Sequence, residues 1–104
     1  MKPEFSIVIP TKNSVGIIDR LIESILSQEF DHAFEIIFLV TESFDGTENH
    51  LKKIPLKNKK IVHIPEHEFS HSRTRMKGVR IAKGRFVIFL TEEIGCQYFF
   101  LYMK

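Results

Sequence analysis

The sequence predicts a three-layer α/β domain, with a mostly parallel sheet of about four strands and helices on its flanks. Two observations carry this. Short runs of branched and aromatic apolar residues alternate along the chain with segments whose apolar residues recur at helical spacing. Each run is almost continuously apolar, the pattern of a strand buried on both faces. The 104 residues, 43% of them hydrophobic and 27% charged, suffice for one modest core in one domain.

Phe5-Ser6-Ile7-Val8-Ile9-Pro10 reads as the first strand, ended by proline. Thr11 to Ser14 supplies turn chemistry, and Ile18, Leu21, Ile22, Ile25 and Leu26 then predict a helix over 15–28. Phe34 to Val40 is a second strand, too short and too rich in β-branched and aromatic residues to favour helix. Asp45-Gly46-Thr47 makes a turn into a short helix that carries Leu51. The connector from Lys52 to Lys60, with five lysines, reads as a solvated loop. Ile61 to Ile64 predicts a third strand, Ser70 to Lys83 a helix stopped by Gly84, and Phe86 to Leu90 a fourth strand.

Fifteen Lys and Arg against thirteen Asp and Glu leave a net charge of +2, too little for nucleic-acid binding on bulk electrostatics. Anion binding must therefore be local. The single Cys96 closes no intrachain disulfide, so a reducing cytoplasm is the expected compartment, with peripheral attachment to a membrane as the other option. No apolar stretch reaches the roughly 20 residues of a membrane span.

Ligands of parallel sheets bind beyond the carboxyl ends of the strands. Here these ends are Pro10-Thr11-Lys12-Asn13, Thr41-Glu42-Ser43, Pro65 to His71, and Thr91-Glu92-Glu93, all polar or charged. In the third helix, the 100° rotation per residue places Arg75 with Val79 and Ala82 toward the sheet, whereas Arg73, Lys77 and Arg80 face solvent. A guanidinium so placed needs an anion, either a carboxylate such as Glu42, Glu92 or Glu93, or a bound phosphate. Glu92 and Glu93 end a buried strand, where hard cations are held with the help of substrate phosphates, although acids in a solvated turn would read the same.

His67-Glu68-Phe69-Ser70-His71 matches H-E-x-x-H, the zinc peptidase pattern. That chemistry needs one helix through both histidines. Pro65 and the strand before it argue against such a helix, which leaves a small zinc metallopeptidase as the third reading of function.

Four segments occur in order at these strand ends: Pro10-Thr11-Lys12-Asn13; Glu42 with Asp45-Gly46-Thr47; Glu68 through Arg75; and Ala82-Lys83-Gly84 followed by the fourth strand and Thr91-Glu92-Glu93. Together they resemble the nucleotide-binding half of a family 2 glycosyltransferase, and the third segment is similar to that of its rhamnosyltransferase-like branch. The resemblance covers about residues 5 to 94. It implies the Rossmann-like GT-A fold, a nucleotide-diphosphate sugar as donor, and hexosyl or rhamnosyl transfer to a saccharide or lipid-linked acceptor. It further implies that Pro10, Thr11, Asn13, Glu42, His71 and Arg75 line the nucleotide-sugar site. Glu93 would then stand where the family places its metal-binding aspartate, so a divalent cation, Mg or Mn, is the expected cofactor.

In the family the acceptor half and the catalytic base follow the metal motif, whereas here only Ile94 to Lys104 follow it. The expected organisation is a partial glycosyltransferase-like domain, residues 1–94, and an atypical aromatic tail, residues 95–104, in a truncated chain whose base lies beyond its C-terminus. The second reading of function is a non-catalytic remnant or interaction module that forms homo-oligomers through this tail.

Overall fold

The computed structural model describes residues 3–13, 15–27, 32–42, 44–68, 70–93 and 96–103, with the backbone alone at 68, 71, 72, 91–93 and 96–103. The elements are β1 (Phe5–Thr11), α1 (Ile18–Leu26), β2 (Phe34–Thr41), α2 (Thr47–Lys53), β3 (Lys59–Ile64), a 3-10 turn (Glu66–Glu68), α3 (His71–Ile81), β4 (Phe86–Glu93) and β5 (Cys96–Met103). The sheet order is β3-β2-β1-β4-β5. The first four strands run parallel, and β5 lies antiparallel to β4. The chain winds outward from β1 to β3 and then returns to the other side of β1, so β1 and β4 flank the topological switch point.

Alternation along the strands divides the core into two layers. Ile7, Ile9, Ile36, Phe38 and Val40 pack with Ile18, Leu21 and Ile22 of α1 and Leu51 of α2. Val8, Ile37, Leu39, Val87 and Phe89 form the other face, with Ala82 and the partly buried Val79 and Ile81 of α3. Burying each such side chain contributes about 1.5–3 kcal/mol, which explains why the apolar runs were decisive in the sequence.

The differences from expectation have local causes. The first helix begins at Ile18 rather than Val15, after a turn in which the Val15 N–H is held by the Asp45 carboxylate at 3.1 Å. The third strand begins at Lys59, so the lysine-rich connector is not wholly a solvated loop. Lys59 Nζ donates to the carbonyls of Leu51, Lys52 and Ile54 at 2.7, 3.1 and 2.5 Å, which satisfies the C-terminal end of α2. Lys60 pairs with the buried Glu35 at 3.0 Å.

Gly84 does not stop the third helix. That helix ends at Ile81, and Gly84 sits where the returning chain meets β1: a Cβ there would lie 2.6 Å from the Phe5 carbonyl carbon and the Ser6 nitrogen. Close backbone approach, not a left-handed conformation, requires this glycine.

Arg75 is exposed, not turned to the sheet. Ala82 and the partly buried Val79 do pack toward the sheet as expected, but Thr74 and Gly78 take the place expected of Arg75, with Gly78 so close that a Cβ would meet Val8 Cγ1 at 2.7 Å. Small residues let α3 lie near the strands, and a hydropathy pattern does not register them as contact positions. Residues 96–103, read as a tail, form β5 in register with β4, with Phe100 opposite Phe89 and Tyr98 opposite Thr91.

Candidate functional site

The loops that leave β1, β2 and β3 are fastened to one another at the carboxyl rim of the sheet. Asn13 adopts φ 47°, a left-handed conformation that asparagine tolerates better than most residues. Its Oδ1 accepts the Phe44 N–H at 2.9 Å, which joins the loop after β1 to the loop after β2. Asp45 doubles the joint. Its Oδ2 accepts the Val15 N–H at 3.1 Å, while Oδ1 accepts the Thr47 N–H at 3.1 Å and the Thr47 hydroxyl. The hydroxyl bond, opposed by burial and helped by the Val15, Thr47 and Asp45 N–H groups, holds the Asp45 carboxyl below its ordinary value.

Two further links extend the rim. Lys12 Nζ pairs with Glu66 at 2.8 Å, which ties the β1 loop to the turn after β3. The Glu42 N–H donates to the Ile64 carbonyl at 2.9 Å, so the ends of β2 and β3 stay in register. Such cross-links set the backbone of three loops before any ligand arrives, and that pre-organisation lowers the ordering cost of binding.

The expected site residues are placed as follows. Thr11 is 3% exposed, with its hydroxyl donating to the Ile9 carbonyl at 3.0 Å, so it buttresses the strand end. Pro10 is half-buried beside it, and Asn13 and Glu42 are exposed on neighbouring loops. Arg75 lies in the second turn of α3, which starts at the β3 end of the rim. His71 opens α3 and Glu93 closes β4, but both side chains lie outside the described residues.

The zinc peptidase arrangement is not formed. His67 belongs to the 3-10 turn and His71 to α3, so no single helix carries both. Among the described residues no group of three or more His, Cys, Asp or Glu could hold a metal ion. Among them too, no helix is long and apolar enough to cross a membrane.

Two rim residues escaped sequence reasoning. Asp45 reads in the sequence as part of a turn that starts a short helix, but not as the acceptor that joins two loops through Val15 and Thr47. Phe44 is 87% exposed on the rim, with its backbone fixed by Asn13. An aromatic inside a polar turn was the available signal.

Comparison with known proteins places this geometry. Among curated proteins none matches the chain. Solved structures do. TarS from S. aureus is 30% identical, with a TM-score of 0.70 over 88% of this chain and 16% of that one. Its 1–349 fragment in complex with UDP-GlcNAc is likewise 30% identical, with a TM-score of 0.70 over 88% of this chain and 26% of that one. The mannosyltransferase PcManGT from Pyrobaculum calidifontis, in complex with GDP-Man and Mn2+, shares the fold at 20% identity, with a TM-score of 0.69 over 88% of this chain and 28% of that one. The chain thus spans between 16% and 28% of the length of these proteins. Residues 6–92 match the family described as "Glycosyl transferase family 2". With a GT-A sheet whose loops after β1, β2 and β3 are joined along the carboxyl rim, the chain belongs to glycosyl transferase family 2.

Proposed function

We propose that this domain binds the nucleotide-diphosphate sugar of a glycosyl transfer reaction, with hexosyl or rhamnosyl transfer to a saccharide or lipid-linked acceptor. The observation that carries the reading is the fastened rim: Asn13, Phe44 and Asp45 hold two loops together beside the switch point of a family 2 sheet. The complexes of TarS with UDP and UDP-GlcNAc support a nucleotide there. Asn13, Glu42 and the exposed Phe44 would meet the nucleoside, with Phe44 offering a face on which a base can stack. Pro10 and Thr11 shape the floor, and His71 and Arg75 would meet the diphosphate.

The donor set at the end of β4 suits a hard divalent cation, Mg or Mn, because Glu92 and Glu93 offer only oxygen. Glu93 would hold it together with phosphate oxygens. Such a cation offsets the charge that develops on the departing diphosphate.

The test is a thermal-shift titration with UDP, GDP and dTDP at millimolar concentration, with and without Mn2+. Binding to the native state raises the melting temperature by mass action. A rise that Arg75→Ala abolishes locates the site, and no rise with any of the three removes the reading.

A further inference from the structure

Charge is distributed unevenly along this chain. Residues 70–85 hold six of the fifteen Lys and Arg and no Asp or Glu, so a +6 segment is balanced by nine cations and thirteen acids elsewhere, a remainder of −4. α3 arranges much of this charge on one ridge. With Thr74, Gly78 and Ala82 against the sheet, the opposite side carries Arg73, Met76, Lys77 and Arg80, grouped within an arc of about 100°. All four are exposed, and Met76, 51% exposed, lies midway along the ridge at one edge of it. Among the described residues no salt bridge reaches the side chains of Arg73, Lys77 or Arg80.

We propose that this outer face of α3 docks on an anionic lipid surface. The three cations span about 10 Å along a rigid helix, a spacing that lets them meet several headgroup phosphates at once. Met76, an unbranched apolar side chain among them, enters the boundary between headgroups and acyl chains. A soluble polyanion would reward the cations but not the thioether, which is why a bilayer fits better. Because α3 starts at the rim, docking would hold the rim loops beside the headgroups. The proposal is independent of the donor reading, since none of these four residues is part of the rim.

The experiment is sedimentation of the full chain with vesicles of phosphatidylcholine, with or without one third phosphatidylglycerol, and parallel binding to soluble polyphosphate. The expected result is binding to the anionic and not to the neutral vesicles, weakened as salt rises, with polyphosphate bound more weakly than the anionic vesicles. R73Q/K77Q/R80Q should lower the vesicle partition about a hundredfold and Lys77→Gln alone about fivefold. Met76→Gln should weaken vesicle binding and leave polyphosphate binding unchanged. Circular dichroism melts confirm that the variants fold, and the two single variants keep the test decisive if the triple variant does not. Equal binding to neutral vesicles, binding undiminished in Lys77→Gln and Met76→Gln, or polyphosphate binding that equals or exceeds binding to the anionic vesicles overturns the proposal.

Discussion

Replacing Glu35 with alanine should be among the most damaging single changes in this domain, although the residue lies at the end of the sheet opposite the rim. Glu35 is 6% exposed. It accepts the Ser6 hydroxyl at 2.5 Å, the Lys83 N–H at 2.7 Å and the Lys60 ammonium at 3.0 Å. The Ser6 oxygen in turn accepts the Gly84 N–H at 2.8 Å, so one carboxylate fastens the α3–β4 connection to both β1 and β2. Lys60, with its side chain 35% exposed, can turn to water when its partner is removed. The Ser6 hydroxyl and the Lys83 N–H cannot do so without opening the joint. Two stranded donors at about 1–3 kcal/mol each amount to about 2–6 kcal/mol, a large part of the 5–15 kcal/mol that holds a typical domain folded.

Acid gives the same group a second signature. Burial raises the Glu35 carboxyl, but the hydrogen bonds from Ser6, Lys83 and Lys60 outweigh it, and the net shift is below the usual 4.5. A folded-state value below the unfolded one means that the contribution is complete above about pH 4.5 and is lost as pH falls through the folded value. Urea unfolding of wild type, Glu35→Ala and the near-isosteric Glu35→Gln, at neutral pH and through the acid range, measures both effects. Glu48 and Asp45 also ionise more readily in the folded state, so the quantity to follow is the difference between wild type and Glu35→Gln. A cost of Glu35→Ala under about 1 kcal/mol, or a difference that stays flat between about pH 6 and pH 3, would refute the reasoning.

Gly84→Ala should cost about 3 kcal/mol, because the obstructing atoms at 2.6 Å are backbone and cannot yield; equilibrium unfolding checks it. Gly78→Ala meets only side-chain atoms, of Val8 and Leu39, and gains up to about 1 kcal/mol of helix propensity, so unfolding should show a smaller net loss than at Gly84. Asp45→Ala should lower stability by about 1 kcal/mol through the lost bonds from Val15 and Thr47, and should also weaken any nucleotide-induced thermal shift, since the two rim loops are then joined through Asn13. Phe44→Ser should leave the melting temperature of the free protein unchanged while weakening nucleotide binding by about 1–3 kcal/mol, read by isothermal titration calorimetry.

The order and type of the main elements follow from sequence alone. Continuous apolar runs such as Ile36 to Val40 can be satisfied only between two helical layers, and the residues that alternate with them along the chain supply those layers. The carboxyl ends of the strands are likewise legible, because a parallel sheet turns every polar strand end to one rim.

Tertiary structure alone decided which neighbours those residues meet. Lys59 and Lys60 look alike in sequence, yet one terminates α2 and the other pairs with a carboxylate in β2. Arg75 shares its predicted face with Val79 and Ala82, but the small side chains of Thr74 and Gly78 let the helix approach Val8 and Leu39 and turn the guanidinium outward. Ser6 and Glu35 are 29 residues apart, and Ser6 and Gly84 are 78 apart. Patterns within one segment report on hydrophobicity and backbone preference. The partner of a buried polar group, and the closeness of two backbones, are set by how the segments pack against one another.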